Sequence, residues 1–349
     1  MATSIRRRLG IIGVVAAVVI AALGVANVRA NPAPDLPAVA ADALLASTLG
    51  ALSHPFTISG EVSTHVDIGI PAIPSSIGGG ALGPAALAIG DQHFKVWHSP
   101  DGVRVAHLLD LGEQDLIVSA RDAWYWDSSS LSAVHLSIPP SAREIAATRS
   151  PSDADVLLLA RRVIAALGPY ADISVEGTVV VAGQPCYELV LTPTSTLTLI
   201  GRISVAVDAR TRLPLQLQVF PRGSDAAAME GGFTSVSFDP IDPSMFAFTA
   251  PPGATVRQAA DLVAAVEQHA TTSTSTHSPP GLLQRVFGNG FETRIAIELH
   301  TPLPREAGAL LPYAGPLLSA ITVERGGRTW LLIGPVPVAT LEQDAASLS

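Results

Sequence analysis

A strict two-residue alternation runs through residues 56–70, FTISGEVSTHVDIGI, and constrains the fold more than any other feature of this chain. Successive side chains of a strand point to opposite faces, so the segment predicts a strand with one dry face and one wet face. A sheet made of such strands is typically antiparallel and needs a cover on its dry side. The apolar positions are Phe56, Ile58, Val62, Val66, Ile68 and Ile70.

Strand-like runs recur along most of the remaining chain and are joined by short turns such as SPDG, DART and the hairpin turn ERGGRT. This spacing is typical of an antiparallel meander. The predicted strands lie at about 92–98, 103–109, 115–119, 123–127, 131–137, 173–181, 186–192, 202–208, 213–220, 232–238, 292–300, 320–325 and 328–333.

Helical patterns are fewer and predict covers for the sheet at 38–52, 151–168 and 256–269. Residues 270–281 have the Ser/Thr/Pro composition of a linker, and we expect residues 282–340 to return to strands that complete the same sheet. The prediction is a mainly β (α+β) fold in a single domain spanning residues 36–340.

The first 30 residues read as a targeting segment. Three arginines, Arg6 to Arg8, precede a stretch without charge from 9 to 28, and Val28 and Ala30 suit a cleavage site with small residues. Twenty uncharged helical residues would extend about 30 Å, enough to cross a bilayer. The sequence therefore predicts export, with residues 1–30 acting either as a cleaved signal peptide or as an N-terminal membrane anchor.

Charge and cysteine content limit the partners of the exported part. Four of the 21 basic residues lie in the first 30, which leaves 17 against 30 acidic residues and a formal charge of −13. Such a body repels nucleic acid, so we expect no nucleic-acid partner. The single cysteine, Cys186, cannot form an internal disulfide, and the fold must be held by burial.

Motifs that carry catalysis are missing from the sequence. It contains no G-x-S-x-G, H-E-x-x-H, C-x-x-C or phosphate-binding loop, and the histidines do not recur with carboxylates or cysteines at metal-ligand spacing. Asp101 and Asp208 are better explained as turn formers than as catalytic acids. We predict a protein that is not an enzyme and that has no cofactor and no metal site.

Residues 68–90 form an uncharged segment of 23 positions between two predicted strands. Connections of this kind are usually short and polar. One interpretation is that the segment packs on the body of the protein. The other is an apolar gate over a cavity or against a membrane, with glycines 78–80 as a hinge. Its gate residues would be Ile70, Ile73, Ile77, Leu82 and Leu87.

Aromatic residues are concentrated in the run AWYW, which contains Trp124, Tyr125 and Trp126. Strand parity places both tryptophans on one face and the tyrosine on the other. The tryptophans could fill a core or line a ligand cavity, because both roles use large rigid side chains.

The blocks ALAIGDQHFKVWHSPDGVRVAHLLDLGEQDLIVSARDAWYWDSSSLSAVHL, CYELVLTP, GRISVAVDARTRLPLQLQVF and GFTSVSFDPIDPSMFAFTAPPGATV resemble LolA-like proteins, as does the closing GGRTWLLIGPVPVATL. The resemblance is to the actinobacterial branch of the LolA and RseB/MucB superfamily and covers nearly the whole exported chain. It implies a curved antiparallel half-open barrel, closed by helices over a hydrophobic cavity for acyl chains. The implied cavity residues are Phe56, Ile58, Val62, Phe94, Val96, Trp124, Trp126, Leu215 and Leu217.

One position departs from the family. Lipoprotein carriers of proteobacteria place an arginine before the proline that aligns with Pro100, and here that residue is Ser99. Arg104 is nearby in sequence but belongs to a different strand, so the role is not transferred to it. Three functions stay open: a carrier of lipid or lipoprotein acyl chains at the membrane surface, an RseB-like sensor that binds an anti-sigma factor, and a β domain without a ligand.

Overall fold

The computed structural model describes residues 34–69, 90–139, 162–163, 165–259, 284–299, 303 and 308–348. Within these ranges the chain is mainly strand, as the alternation predicts. We number its α-helices α1 (Ala41–Ser53) and α2 (Val338–Ala345). The strands are β1 (Ile58–Val66), β2 (Gly90–Ser99), β3 (Gly102–Leu109), β4 (Gly112–Ser119), β5 (Asp122–Asp127), β6 (Ser132–Ser137), β7 (Ala171–Val181), β8 (Gln184–Pro193), β9 (Ile200–Asp208), β10 (Pro214–Pro221), β11 (Met229–Ser237), β12 (Thr255–Gln258), β13 (Gln284–Phe287), β14 (Arg294–Leu299), β15 (Tyr313–Ala314), β16 (Ser319–Arg325) and β17 (Arg328–Gly334).

Twelve strands form one large curved sheet in the order β12-β6-β5-β4-β3-β2-β1-β11-β10-β9-β8-β7. Every pair is antiparallel except β12 and β6, which run parallel at one edge. The order is that of two meanders, β1 to β6 and β7 to β11, joined where β1 pairs with β11. The two end strands, β12 and β7, are not paired with each other, so the sheet is open. The predicted mainly β fold with a large antiparallel sheet is confirmed.

Helix α1 packs on the β7–β9 end of this sheet. Its Leu44 is fully buried against Tyr187, Leu189 and Val207. The helix ends at Ser53 because His54 is in an extended conformation, which directs the chain into β1. This confirms the cover predicted at 38–52.

The C-terminal strands form a second sheet of five strands, in the order β13-β14-β17-β16-β15. It has its own core, in which the fully buried Trp330 packs with Leu332, Val336 and Leu341. The expectation that residues 282–340 complete the first sheet is therefore wrong, because β13 to β17 pair only with one another. A backbone hydrogen bond of 2.7 Å from Leu199 to Pro335 connects the two sheets. The assignment of residues 36–340 to one domain stays a prediction.

One predicted hairpin is confirmed, and several other predicted segments lie outside the described residues. The hairpin predicted at ERGGRT is present, with Arg325 opposite Arg328. The helix predicted at 256–269 begins instead as β12, and residues 260–269 lie outside the described residues, as does most of the helix predicted at 151–168. The targeting segment 1–30 and the linker 270–281 lie outside them as well. In the part of the chain that the structure describes, no helix is long and apolar enough to cross a membrane.

An ion pair fastens α2 to the second sheet. The Arg294 guanidinium, 10% exposed, donates from Nε and Nη2 to the two carboxylate oxygens of Asp344, at 2.5 and 3.0 Å. Replacing Arg294 by Met leaves the Asp344 carboxylate without this partner in a mostly buried position. We expect the free energy of unfolding to fall by about 3 kcal/mol, measured by urea titration.

The double variant Arg294→Met, Asp344→Leu is the matched control. It removes both charges together and is expected to recover most of the lost stability. A double variant no more stable than Arg294→Met would contradict this account.

Candidate functional site

The register of strands β2 to β6 sorts their side chains onto two faces. Directly paired residues of neighbouring strands share a face. One row across the sheet is entirely apolar. It consists of Val96, Val105, Leu116, Tyr125 and Val134. We call the face that carries this row the apolar face, and its reverse the opposite face.

A second row on the apolar face is also largely apolar. It joins His98, Val103, Val118, Ala123 and Leu136. The third row, which begins with Phe94 and His107, becomes polar towards β6. The two apolar rows therefore form a band across five strands, bordered by polar groups on one side.

At β1 and β2 the apolar face is packed. Ile58 and Val62 are buried in a cluster with Leu215 and Phe233, and the half-buried Phe56, Phe94 and Val96 pack against it. Leu217 is buried on the same face. It pairs with Gly231, which pairs with Thr64, which pairs with Gln92, and Gln92 shares a face with Phe94 and Val96 on β2. These seven of the nine predicted cavity residues therefore belong to one face or its core.

Over β4 to β6 the same face is open. Leu116 is 47% exposed, Tyr125 41% and Leu136 49%, and all three lie in the two apolar rows. Large apolar side chains that are exposed and contiguous mark a binding surface more often than chance. The apolar face is thus covered by α1 at β7–β9, packed at β1 and β2, and exposed at β4–β6.

The tryptophans lie on the opposite face. Trp124 pairs with Ile117, which pairs with Arg104, which pairs with Trp97, so none of them shares a face with Phe94 or Val96. The prediction that both groups border one cavity is therefore wrong. Parity was correct within β5, because Trp126 is buried while Tyr125 is exposed.

The role of the tryptophans is to dock the chain that follows β11. Trp124 and Trp126 contact the ring of Phe248, with ring centroids 5.3 and 5.8 Å apart. Phe246, at the end of a 3-10 helix (Pro243–Phe246), fits against Gly102, where an added Cβ would lie 2.8 Å from the ring. The opposite face of β3–β5 is therefore filled by protein.

Ser99 and Arg104 have structural roles. The Ser99 hydroxyl accepts a hydrogen bond from the backbone N–H of Asp101 at 3.1 Å and closes the turn after β2. Arg104 pairs with the buried Asp115 at 2.5 Å on the opposite face. Arg104 therefore does not face the band of exposed apolar residues, as expected of a residue that does not take the family's arginine role.

Two histidines lie on the apolar face. The His98 ring stacks on Phe56, with centroids 4.0 Å apart, and the His107 ring stacks on Phe94 at 4.7 Å. Burial lowers the pKa of His98, although its hydrogen bond to the Phe56 carbonyl opposes the shift. Burial also lowers the pKa of His107, opposed by a hydrogen bond with Gln114. Both shifts favour the neutral imidazoles that an apolar surface needs.

A cleft of about 420 Å³ lies between the two sheets. Its lining mixes hydroxyl and amide groups with the rings of Tyr170 and Phe291. It touches none of the predicted cavity residues. Within the described ranges, no group of three His, Cys, Asp or Glu side chains is arranged to hold a metal ion.

The predicted gate residues, Ile70, Ile73, Ile77, Leu82 and Leu87, lie outside the described residues. A ligand-sized cavity under the apolar face also stays a prediction. Sequence reasoning missed Leu116, Tyr125 and Leu136. Counting residues through the hairpins would have found them, because the two-residue turn Pro100–Asp101 pairs Val96 with Val105 and the next turn pairs Val105 with Leu116.

Comparison with known proteins gives structural likeness alone. No family model matches the chain, and no curated protein matches it. The complex of MucA and MucB from Pseudomonas aeruginosa contains a chain with 17% identity and a TM-score of 0.46, covering 87% of this chain and 96% of that one. A crystal structure of MucB has 17% identity and a TM-score of 0.42 over 88% of this chain and 96% of that one.

A LolA superfamily protein from Nitrosomonas europaea is also similar. It has 11% identity and a TM-score of 0.22 over 60% of this chain and 99% of that one. At these identities and TM-scores the likenesses say nothing about what this chain binds.

The histidines predict acid sensitivity. Because the folded state lowers both pKa values, the unfolded chain binds more protons as the pH drops through the ordinary value near 6.5, and stability falls. We expect the urea midpoint to decrease between pH 7.5 and pH 5.5. In the variant His98→Gln, His107→Gln the decrease should be smaller. Equal decreases in both proteins would contradict the assignment.

Proposed function

We propose that this chain is a non-enzymatic protein of the cell envelope that binds an acyl chain of a lipid or lipoprotein on its apolar face. The observation that carries the proposal is the uninterrupted row Val96, Val105, Leu116, Tyr125 and Val134, which is apolar in all five strands and in which Leu116 and Tyr125 are exposed while the valines are partly buried. The resemblance of the sequence to LolA-like proteins supports the same ligand class.

The dimensions of the band suit an extended hydrocarbon. Neighbouring strands lie about 4.8 Å apart, so five strands extend about 19 Å from first to last. Each methylene that leaves water contributes about 0.8 kcal/mol, so a sixteen-carbon chain carries roughly 12 kcal/mol of transfer free energy. The open part of the band, over β4 to β6, extends about 10 Å and can contact part of such a chain. Ligand exchange then needs no covalent step.

The site of action follows from the sequence rather than from the described residues. The targeting segment 1–30 supports export, and its length is compatible with either cleavage or retention as a membrane anchor. We place the protein outside the cytoplasm, secreted or anchored to the cell membrane.

A second candidate function is that of an RseB-like sensor for an anti-sigma factor. The cleft between the two sheets favours it, because the lining offers the hydroxyl groups of Thr194, Ser195 and Thr196 beside aromatic rings. Such a mixture suits an extended peptide better than a hydrocarbon. A pull-down from envelope extract tests it directly, and recovery of an anti-sigma factor without any acyl ligand would replace the first proposal.

The acyl-binding proposal is tested first by mass spectrometry of organic extracts of the purified protein, where we expect a co-purified acyl lipid. The quantitative test uses Leu116→Gln and Leu136→Gln with a fluorescent fatty acid. Each change removes an apolar contact from the band, and we expect the Kd to rise about 10-fold.

The matched control is Val256→Gln. Val256 is 44% exposed in β12 of the same sheet, but it pairs with Ala133 and so belongs to the opposite face. Its substitution should leave the Kd unchanged. Equal losses from Val256→Gln and Leu116→Gln would show that the fatty acid does not select the apolar face.

A further inference from the structure

Exposed leucines are concentrated where two neighbouring hairpins end. Leu111, in the β3–β4 turn, is 96% exposed, and Leu108 and Leu109 beside it are 37% and 38% exposed. Leu131, in the β5–β6 turn, is 51% exposed. We call these four residues the leucine edge.

The two turns are held together as one surface. The backbone N–H of Ser128 donates to the Glu113 carbonyl at 3.0 Å, and the N–H of Glu113 donates to the Ser128 hydroxyl at 2.7 Å. The Gly112 position fits closely against the second turn, since a Cβ there would lie 2.8 Å from the Ser128 hydroxyl oxygen. The leucines of both turns are therefore presented together.

Leu131 occupies a backbone conformation that leucine rarely adopts. Its φ is 48°, in the left-handed region where glycine and asparagine are favoured. The leucine thus adds backbone strain, and half of its side chain stays in water. Folding of this chain alone does not account for the choice of residue, whereas contact with an apolar partner does.

The leucine edge lies at one end of the apolar face, beyond the row that begins with Phe94 and His107. Leu109 lies two residues beyond His107 on β3, on the same face as the row through Val105. A hydrocarbon that enters between the hairpin ends would pass Leu109, cross the row of His107, Gln114, Asp127 and Ser132, and then reach the exposed Leu116 and Tyr125. The edge therefore stands one row of side chains away from the proposed acyl band.

The charged residues near the leucine edge favour one type of lipid surface. Asp110, Glu113 and Asp127 are the charged residues of the two turns, and no Lys or Arg occurs between Arg104 and Arg121 or between Arg121 and Arg143. Anionic headgroups attract basic clusters, and the described residues of these two turns include none. A surface with apolar tips and a few acids fits a zwitterionic bilayer.

We propose that the leucine edge inserts into the surface of a zwitterionic phospholipid bilayer and admits the acyl chain from there to the apolar face. The second half of this inference rests on the proposed function, and the first half does not. The edge contacts lipid by the transfer of leucine side chains into the interfacial region, and Leu111 and Leu131 contribute most because they are the most exposed.

The test uses the chain without residues 1–30, which retains every residue that the structure describes. Co-sedimentation with phosphatidylcholine vesicles is measured for the unchanged chain, Leu111→Ser and Leu131→Asn. We expect each substitution to reduce the partition coefficient about 10-fold. Asparagine suits the left-handed backbone at 131, so Leu131→Asn should be at least as stable as the parent in thermal unfolding.

Val286→Ser is the matched control, because Val286 is 53% exposed but lies in the second sheet. Its partition coefficient should not change. Equal partitioning of the parent and both leucine variants would overturn the inference. So would binding that requires phosphatidylglycerol in the vesicles, since that result would indicate an electrostatic contact.

Transfer of a fluorescent fatty acid from the vesicles separates the edge from the acyl site. The leucine variants should slow transfer about 10-fold while their Kd for the free fatty acid stays unchanged. If the parent binds no fatty acid in solution, the proposed function fails, and co-sedimentation alone decides about the edge. If variants that no longer co-sediment with the vesicles still transfer the fatty acid at the normal rate, the inference that acyl chains enter through the leucine edge is overturned.

Discussion

The register of the hairpins from β2 to β6 is the constraint on which the other features of this protein depend. It is uninterrupted across four strand pairs, and each hairpin loop contains an even number of residues. A shift by one residue in any loop would send every later side chain to the other face. Tyr125 would then be buried against Phe248, and Trp124 would replace it on the exposed band. The even loop lengths thus place the aromatic packing on one face and the exposed apolar side chains on the other.

Local alternation predicted the strands and the mainly β fold from the sequence, since parity is a property of a single strand. Residues 56–70 and the AWYW run each show which side chains share a face. Parity within one strand does not say which face of the next strand continues it. That information lies in the turns, whereas the placement of Trp124 and Trp126 in a cavity is implied by the family resemblance alone.

The second sheet could not be predicted by the same means. The hairpin at ERGGRT is local and was found, but the sheet that a strand joins depends on contacts distant in sequence. Arg294 and Asp344 are 50 residues apart, and their ion pair holds α2 over the core that contains Trp330. The helix that completes the core of residues 282–340 has no capping signal at its start. A short strand series without a visible cover therefore resembled an extension of the first sheet.

A sheet that keeps one face open for a ligand must obtain its rigidity from the other face. Here the segment after β11 supplies Phe246 and Phe248 to the opposite face, where Trp124, Trp126 and the fully buried Ile117 form the packed layer. The large aromatic side chains bury the most surface and so stabilise β3–β6 from behind. The open face can then carry smaller residues and one tyrosine without a loss of order. The concentrated aromatics are in this arrangement the support of the exposed apolar band, and the leucines and valines in front of them are the contacts that the proposed acyl binding would use.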